Sequence, residues 1–404
     1  MTIGIIGAGA AGMAAALAAS EYAGAKVLLL ERQARVGRKL AATGNGRCNL
    51  SNIHAGEGGY HGDDPAFSRP AIERFGPGET LAWFSDLGLY TVTEPSGKVY
   101  PYSDQANSVV DVLRFALDRE NIQLLTDFEV TRIRREEAGF LLESKDRKLL
   151  CDKVIVACGG LAGTKLGGSM AGYKLLRALG HKCTKLRPAL VQVKTGWSGV
   201  SALKGVRANC RAVITRDGQP HRESTGEIQF TEFGLSGPVI YEISRDACQG
   251  SGEWECTLDF LPDVQESRLY GQLMSRRNTN LTAEDLFTGI LHNRLGRVIV
   301  REAGIRGNTT VFALSNDELY RAVSLAKSFA VTLTEPLGMD SAQVTAGGIV
   351  TDEFDPATME SRLVPGLYAC GEVLDVDGDC GGYNLQWAWS SGRLAGLSAG
   401  KETV

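Results

Sequence analysis

The chain has 404 residues, of which 43% are apolar and 22% charged, and its formal net charge is −4. One compact core rarely grows to that length, so two or three domains are expected. The charge balance excludes a global basic field for nucleic acid or anionic membranes. The nine cysteines form no CxxC pair, which indicates reduced thiols. The alanine-rich start lacks the charged region of a signal peptide, and no apolar run reaches the roughly 18 residues of a membrane span, so we expect a cytoplasmic protein.

The first 31 residues read as a strand, a glycine turn, a helix and a second strand that ends in an acid. The glycines of a GxGxxG motif are Gly7, Gly9 and Gly12. Gly7 permits a tight turn, Gly9 lets backbone N–H groups approach a pyrophosphate, and Gly12 lets the helix pack closely on the sheet. Glu31 stands where an acid hydrogen-bonds the ribose of a dinucleotide. The alternative is a glycine turn in an ordinary α/β unit, but the strand, helix and acid at this spacing favour the dinucleotide site.

A second glycine-rich segment follows between residues 37 and 49. Its glycines and asparagines would hold backbone close to a flat ligand. Its cations, Arg38, Lys39 and Arg47, suit phosphate or a reduced, anionic ring. The alternative is a solvated basic loop.

Between residues 60 and 187 the pattern mixes helices and strands. One apolar strand ends in Gly159 and Gly160, so backbone can again approach a ligand at the carboxyl edge of a sheet. The predicted elements are helical patterning over 60–120 that is clearest at 109–117, a β-meander over 122–158 that opens at 128–130, a buried strand at 154–158, and a helix at 168–180.

The pattern changes near Pro188. From residue 189 to about 260, short alternating stretches broken by glycines predict an antiparallel barrel or sandwich. Residues 182–222 contain nine Lys or Arg and one acid. They suit an anionic substrate or an RNA partner, although a solvated barrel face is favoured. Residues 263–330 predict helices, the last of them opened by a capping box of Ser315 and Glu318.

The α/β pattern returns near residue 344. Residues 344–350 read as a glycine-kinked strand, and residues 366–372 as a strand that ends in a glycine and an acid. The segment 381–386 opens a last helix. Its stripe of small residues at 388, 392, 395 and 399 predicts close contact with the sheet. The dinucleotide domain is therefore split by one long insertion.

The opening motif alone cannot separate NAD from FAD, because both contain an adenosine ribose and a pyrophosphate. Glu31 argues against a 2′-phosphate, which would place two negative groups together. Glycine-bearing segments near 44–49, 159–160 and 371–384 would converge on a ligand longer than NAD requires, which favours FAD. The predicted fold is α/β, with a split Rossmann-like FAD-binding domain and inserted β-barrel-like and helical domains. The predicted bounds are 1–187 and 336–404 for the FAD domain, 188–262 for the barrel-like substrate domain, and 263–335 for the helical domain.

Three long motifs carry a resemblance to a known family: GRKLAATGNGRCNLSN at 37–52, QVTAGGIV at 343–350 and GLYACGEVLDVDGDCGGYNLQWAWSSG at 366–392. Across nearly its whole length the sequence resembles the BaiN-type family of bacterial NAD(P)/FAD-dependent oxidoreductases. That family includes aminoacetone oxidase, a 3-dehydro-bile-acid Δ(4,6)-reductase and a ribosomal RNA dihydrouridine-forming member. One departure is visible, since members often carry histidine where TEFGLSGP here has Glu232.

The resemblance implies that Gly7, Gly9, Gly12 and Glu31 hold the ADP half of FAD and that the Val130 backbone contacts adenine. It also implies two groups around the ribityl chain and flavin: Lys39, Gly46, Arg47, Cys48 and Asn49, and Gly371, Glu372, Gly382, Tyr383, Asn384 and Leu385. The motifs add Ala11, Arg32, Arg38, Gly44, Ala157, Gly159 and Gly160 as candidate cofactor contacts.

No residue is singled out as catalytic, and the candidates are Cys48, Thr345 and Tyr383. Cys48 is more readily a small buried thiol than a redox group, and Thr345 and Tyr383 either supply a proton or orient backbone. The five histidines show no metal spacing. With no second GxGxxG, NAD(P)H would have to visit the flavin transiently if it is used; otherwise oxygen or another donor serves.

The expected function is reduction of an enone-like small molecule by hydride transfer from flavin N5. The alternatives are an amine oxidase that uses oxygen, an RNA uridine reductase, and a non-catalytic flavin-binding sensor. The sequence leaves open the substrate, the electron donor, the direction of the reaction and the oligomeric state.

Overall fold

A computed structural model describes residues 1–401. The chain divides into two compact units, one formed by residues 1–187 together with the chain from Gln343 onward, the other by Pro188–Ala342. The last three residues of the predicted 336–404 segment lie outside the described residues. Within the described range, no helix combines the length and apolarity needed to cross a bilayer.

The leading segment of the first unit alternates short strands with helices. In chain order its elements are β1 (Thr2–Ile6), α1 (Ala10–Ala19), β2 (Lys26–Leu30), α2 (Arg38–Ala41), β3 (Ser51–Asn52), β4 (Tyr60–His61), α3 (Arg69–Arg74), α4 (Pro77–Asp86), β5 (Thr91–Thr93), β6 (Lys98–Pro101), α5 (Ala106–Ala116), β7 (Ile122–Leu125), β8 (Arg132–Glu136), β9 (Gly139–Glu143), β10 (Lys148–Cys151), β11 (Lys153–Val156) and α6 (Ala171–Ala178). The next strand, β12 (Arg187–Ala189), begins at the last residue of this segment and continues into the second unit.

The remaining elements belong to the second unit and to the returning segment of the first. The second unit contains β13 (Val193–Thr195), β14 (Arg207–Arg216), β15 (Gln219–Phe230), β16 (Gly234–Ser236), α7 (Pro238–Ser244), β17 (Trp254–Asp259), α8 (Glu266–Ser275), α9 (Asn293–Glu302), α10 (Asn316–Lys327) and β18 (Phe329–Pro336). The returning segment contains β19 (Val344–Ala346), β20 (Leu367–Ala369), β21 (Asp377–Gly378) and α11 (Tyr383–Gly400).

A parallel sheet in the order β20-β11-β1-β2-β7 organises the first unit. Ile5 in β1 pairs with Ile155 in β11 and Leu29 in β2, and all three are buried. Such branched apolar strands suit a sheet whose two faces are both covered. Because the strands are parallel, their carboxyl ends meet at one edge, where ligands bind in open α/β sheets. The predicted Rossmann-like fold is confirmed.

The predicted β-meander over residues 122–158 is wrong in its outer parts. β7 and β11 join the parallel sheet, and residues 128–130 form no strand. The antiparallel part is confined to β8, β9 and β10, in the order β10-β9-β8. Both misplaced strands are short apolar runs, and local patterning does not distinguish parallel from antiparallel partners.

The small-residue stripe of α11 packs mainly against another helix. A Cβ atom on Gly392 would overlap the carbonyl oxygen of Ala11, and one on Gly396 would overlap that of Ala15. Both carbonyls belong to α1, so the two helices approach backbone to backbone. The principal partner of the stripe is therefore α1 rather than the predicted sheet.

The second unit is built on a closed antiparallel barrel in the order β13-β16-β15-β14-β17-β18, as predicted for this region. Cys210, Ala212 and Ile214 of β14 point into the core, whereas Arg211 between them is exposed. The predicted capping box is confirmed, since Ser315 Oγ accepts the Glu318 N–H at 3.2 Å. The helix that it opens ends at Lys327, and the next residues form the sixth barrel strand, β18, where the sequence predicted more helix.

A buried histidine ties α6 to the chain that leads into β20. His181 Nδ1 lies 2.9 Å from Glu353 Oε2, and its Nε2 lies 3.0 Å from Ser361 Oγ. The ring stacks on Phe354 with centroids 4.6 Å apart. Ser361 Oγ already accepts the N–H groups of residues 363 and 364, so its own proton is directed at Nε2. That arrangement suits neutral imidazole, and burial lowers the pKa of His181.

We expect His181 to make stability fall in mild acid. Because its pKa is lower in the folded chain, the unfolded chain binds the extra proton first as the pH drops below about 6.5. Stability is therefore lost from about pH 6.5 downward and is fully present above it. Urea melts at pH 7.5 and 5.5 should show a smaller loss for His181→Gln than for the wild type. Equal losses in the two proteins would assign the acid sensitivity to other groups.

Candidate functional site

The carboxyl edge of the parallel sheet is lined by glycines. Gly7 follows β1 with φ +103°, and a Cβ atom there would stand 2.6 Å from the Ala157 carbonyl oxygen beyond β11. Gly159 follows β11 with φ +69°, and Gly371 follows β20 with φ +73°. A Cβ atom on Gly371 would lie 2.9 Å from the Ala11 side chain at the start of α1. The structure therefore brings residues from both ends of the chain to one edge.

Gly9 and Gly12 differ in what surrounds them. A Cβ atom on Gly12 would overlap the Gly7 carbonyl oxygen, so this glycine is required by packing within the protein. Around a Cβ atom on Gly9, no atom of the described residues other than its two chain neighbours lies within 4 Å. Gly9 precedes α1, whose first N–H groups carry the partial positive charge of a helix N-terminus. The space beside Gly9 is suited to an anionic group.

Glu31 is held in place by backbone. Its Oε2 accepts the Ala8 N–H and its Oε1 the Gln33 N–H, each at 2.9 Å. Each carboxylate oxygen keeps a second lone pair, which can accept a hydroxyl proton. Glu31 directly follows β2, but nothing in the sequence indicated that backbone N–H groups fix its rotamer.

An open cleft of about 540 Å³ lies beside Glu31. Arg32 and Arg38 line it, and their guanidinium groups bond to the Gly167 carbonyl at 2.7 Å and the Gln33 side chain at 2.9 Å. Val130, the predicted adenine contact, is buried next to Glu129 of the cleft wall. These two arginines therefore line a cleft that begins at Arg32, the residue after Glu31.

Glu372 is the hub of the second half of the site. Its Oε2 pairs with Lys39 Nζ at 2.8 Å and accepts the Gly160 N–H at 3.3 Å. Its Oε1 accepts the Thr345 N–H at 2.8 Å. One carboxylate thus joins the second glycine-rich segment (residues 37–49), the end of β11 and β19. The pairing of Lys39 with Glu372 spans 333 residues and is invisible to local sequence patterns.

Thr345 orients backbone in this structure. Its Oγ1 accepts the N–H groups of Leu161 and Ala162, both at 2.9 Å, and the residue is buried. Of the two roles considered for Thr345, the geometry favours positioning of the loop after β11 over delivery of a proton.

The start of α11 is packed against the end of the second glycine-rich segment (residues 37–49). Gly382, with φ +105°, precedes α11, and a Cβ atom there would overlap the Ser51 carbonyl and stand 3.0 Å from Asn49 Oδ1. Asn49 Oδ1 is buried and has no hydrogen-bond partner among the described residues. Asn384 holds the preceding turn through two bonds to Gly378, of 2.9 and 2.7 Å. Leu385 is half-buried in the same turn of helix.

Arg47 and Cys48 are adjacent in the chain but lie in different environments. The Arg47 guanidinium bonds to Asp104 and to Glu94 and covers the Tyr100 ring at 4.1 Å, so it is engaged with other side chains on an exposed part of the unit. Gly44 and Gly46 are exposed in the same segment. Cys48 is fully buried, and burial raises the pKa of its thiol to about 11. A protonated, buried thiol supports the packing role over a redox role.

Sequence reasoning missed the pair of His61 and Asp379. His61 Nε2 lies 2.7 Å from Asp379 Oδ1, at the junction where β4 pairs with β21. The alternating acids of the stretch DVDGD at 375–379 were an available signal, but nothing in the local sequence indicated that residue 61 faces them.

The remaining features that the sequence singled out are Glu232, the nine cysteines and the possible metal ligands. Glu232, the departure from the family pattern, pairs with Lys204 at 2.7 Å in the second unit. None of the nine cysteines, which all lie within the described residues, forms a disulfide. Within residues 1–401, no cluster of three or more metal-ligating side chains occurs.

The parallel sheet, the glycines at its carboxyl edge and the acid after β2 define a Rossmann-fold protein with a dinucleotide-binding edge. A family model described as the HI0933-like protein Rossmann domain matches residues 1–398. The chain belongs to this family.

Two curated relatives match over nearly the whole chain. A 3-dehydro-bile acid delta(4,6)-reductase of Clostridium scindens is 40% identical over 98% of both chains. A ribosomal RNA dihydrouridine synthase of Escherichia coli is 33% identical over 96% of this chain and 95% of its own. As a member of this family, the protein is a flavin-dependent oxidoreductase.

Solved structures show the same fold at low sequence identity. A 3-ketosteroid delta1-dehydrogenase from Sterolibacterium denitrificans matches with a TM-score of 0.52 and 13% identity, covering 99% of both chains. A flavocytochrome c3 fumarate reductase matches with a TM-score of 0.50 and 17% identity, covering 99% of this chain and 78% of its own.

Proposed function

We propose that the protein is an FAD-dependent reductase of a carbon–carbon double bond conjugated to a carbonyl group. The observation that carries this proposal is the chemistry shared by the two curated relatives. A 3-dehydro-bile acid with Δ4,6 unsaturation is a conjugated dienone, and the uracil ring that becomes dihydrouridine also has its double bond next to a carbonyl. Each reduction adds a hydride to one carbon and a proton to its neighbour.

The residues at the sheet edge fit FAD. Open space beside Gly9 suits the pyrophosphate, and the free lone pairs of Glu31 suit the ribose hydroxyls. The buried, unpaired Asn49 Oδ1 offers an acceptor at the far end of the edge. We propose that the ADP half is held by Gly7, Gly9, Ala11, Gly12, Glu31, Arg32, Arg38, Val130, Ala157, Gly159 and Gly160, and the ribityl chain and flavin by Lys39, Gly44, Gly46, Arg47, Cys48, Asn49, Gly371, Glu372, Gly382, Tyr383, Asn384 and Leu385.

Bound FAD supplies the hydride chemistry, and the chain supplies binding and electrostatics. Because Lys39 is paired with Glu372, that pair presents a dipole rather than a net charge. The N-terminus of the long helix α11 adds a partial positive charge beside Asn49. With one GxGxxG motif in the sequence, we propose that NAD(P)H reaches the flavin transiently.

RNA is the second candidate substrate, because a curated relative acts on ribosomal RNA. The cations of the barrel region are largely engaged with carboxylates. Lys204 pairs with Glu232 at 2.7 Å, Arg222 with Asp246 at 2.9 Å, and Arg207 with Glu227 at 3.5 Å. That pairing favours the solvated face and hence a small-molecule substrate.

An anaerobic donor and acceptor screen tests the proposed function. Bleaching of the flavin by NADPH or NADH, followed by reoxidation with a 3-oxo-4,6-diene bile acid, is the expected result. Reoxidation by uridine-containing ribosomal RNA but not by the dienone would favour the RNA candidate, and RNA binding would then weaken steeply between 50 and 200 mM salt. Bleaching by aminoacetone alone would favour the oxidase. A flavin that no donor bleaches would favour the sensor.

We expect Lys39→Met to lower the flavin reduction potential by roughly 20–40 mV, the equivalent of about 1–2 kcal/mol for a two-electron couple. The substitution removes the cation and leaves the Glu372 carboxylate unpaired. Arg47→Met, whose guanidinium is exposed and engaged with Asp104 and Glu94, should shift the potential by less than about 10 mV. The potentials of both variants are measured against reference dyes. Equal shifts in the two variants would contradict this prediction, because they would mean that both cations face the ring.

A further inference from the structure

The pair of His61 and Asp379 lies beside the start of α11. The imidazole Nε2 and the carboxylate Oδ1 are 2.7 Å apart, and their side chains are 26% and 28% exposed. Both groups can therefore exchange protons with solvent while staying in fixed contact. The backbone fixes the pair as well, since His61 in β4 pairs with Asp377 in β21, and Asp379 N donates to the Gly59 carbonyl at 2.9 Å.

Tyr383, the first residue of α11, packs beside this pair. A Cβ atom built on Gly59 would lie 2.6 Å from Tyr383 Cε1 and 3.0 Å from Asp379 Oδ2. The tyrosine ring and the carboxylate therefore flank the same glycine. Tyr60 packs edge-on against Tyr383 with centroids 5.9 Å apart, and its hydroxyl donates to the Tyr383 carbonyl at 3.4 Å.

The surroundings of the pair include two further carboxylates and one ammonium group. The titratable groups packed around it are Tyr60, Lys98, Asp375, Asp377, Cys380 and Tyr383. Burial, together with Tyr383 and Asp379, raises the pKa of the Tyr60 hydroxyl, so Tyr60 stays protonated and serves as packing. Tyr383 and Asp379 flank the same glycine, and the His61–Asp379 pair is partly exposed to solvent.

We propose that Tyr383 donates the proton that completes the reduction and that the His61–Asp379 pair restores it. This inference rests on the proposed function. Bound FAD would supply the hydride that adds to the β-carbon of the conjugated double bond. The Tyr383 hydroxyl gives its proton to the α-carbon, and the phenolate takes a proton from the His61–Asp379 pair. The pair is then reprotonated from solvent. Electrons come from the flavin alone, and the protein ends unchanged.

Tyr383 would be a catalytic residue, and His61 and Asp379 positioning residues that act through it. A positioned acid contributes about 10²–10⁴ in rate. Proton delivery is needed for reduction of a carbon–carbon double bond but not for transfer of electrons to ferricyanide. The acceptor half-reaction therefore separates this role from a loss of flavin binding.

The kinetic experiment mixes photoreduced, FAD-loaded enzyme anaerobically with the 3-oxo-4,6-diene bile acid and follows flavin reoxidation. Tyr383→Phe should slow reoxidation at least 100-fold, and His61→Gln and Asp379→Asn at least tenfold with a larger solvent isotope effect. Reoxidation by ferricyanide should change less than twofold in His61→Gln and Asp379→Asn, and the slowing in Tyr383→Phe is measured as the ratio of its dienone rate to its own ferricyanide rate. His54→Gln is the matched control, because His54 forms an exposed pair with Glu57 at 3.3 Å in the same unit.

A second readout does not depend on turnover. Because Asp379 accepts at Nε2, long-range ¹H–¹⁵N spectra of the oxidised enzyme should show the His61 ring protonated at Nε2, and Asp379→Asn should change that pattern. The His61 signals are identified by their loss in His61→Gln.

The outcomes separate the two levels of the proposal. Wild-type enzyme that reduces ferricyanide but neither the dienone nor RNA overturns the proposed function, and the inference with it. Wild-type enzyme that reduces the dienone, with all three variants equally fast, overturns the inference alone. An unprotonated Nε2 on His61 overturns the role of the pair even if Tyr383→Phe is slow.

Discussion

Gly9→Val is expected to yield a protein that folds normally but does not retain FAD. Apart from the two chain neighbours, no atom of the described residues lies within 4 Å of a Cβ atom at this position, so the first atom of the new side chain meets no other part of the protein. It would instead fill the space in front of the α1 N-terminus, where the pyrophosphate is proposed to lie. We expect the dissociation constant for FAD to rise at least 100-fold, or by about 2.7 kcal/mol.

Two other glycines provide controls for Gly9→Val. Gly78→Val also places a side chain in open space, but on α4, and should leave FAD binding unchanged. Gly12→Val should prevent folding, because its side chain would overlap the Gly7 carbonyl. Circular dichroism, thermal melting and FAD titration distinguish the three variants. A Gly9→Val protein that binds FAD with wild-type affinity would place the pyrophosphate elsewhere.

Glu372→Ala is expected to remove about 3 kcal/mol of stability and to weaken FAD binding together with it. The substitution leaves Lys39 unpaired and deprives the N–H groups of Gly160 and Thr345 of their acceptor. Each unsatisfied buried donor costs roughly 1–3 kcal/mol, and the partial exposure of Lys39 reduces the cost of the unpaired ammonium. Urea unfolding of the flavin-free protein measures the first effect, and FAD titration the second.

Graded variants show which part of the Glu372 interaction matters. Glu372→Gln keeps an acceptor for Thr345 and should lose about 1 kcal/mol. Glu94→Ala, which removes an acid from the exposed pair with Arg47, should lose less than about 0.5 kcal/mol. If Glu372→Ala were no more destabilising than Glu94→Ala, the carboxylate would not join the three segments as described.

The part of the fold that depends on local signals could be predicted from the sequence. β1, α1 and β2 lie where the apolar run, the glycine motif and the acid at Glu31 place them, because each signal acts within a few residues. The predicted start of the last helix is confirmed at Gly382. The family resemblance extended these signals to the whole chain.

The parts that were missed depend on partners far away in sequence. β18 alternates buried Phe329, Val331 and Leu333 with exposed residues, which is a strand pattern, but it directly follows a well-capped helix and was absorbed into it. The pairing of β7 and β11 in the parallel sheet depends on strands more than 90 residues away in the chain. The contacts of Lys39 with Glu372 and of His61 with Asp379 each join residues more than 300 positions apart, so no spacing rule could reveal them.

The identity and amount of the flavin released from the protein is the measurement on which the rest depends. Purified protein, denatured and analysed by liquid chromatography, should release one FAD per chain. A protein that is colourless and takes up no flavin, or one that releases FMN, would show that the glycines at the carboxyl edge of the parallel sheet do not hold the dinucleotide proposed for them.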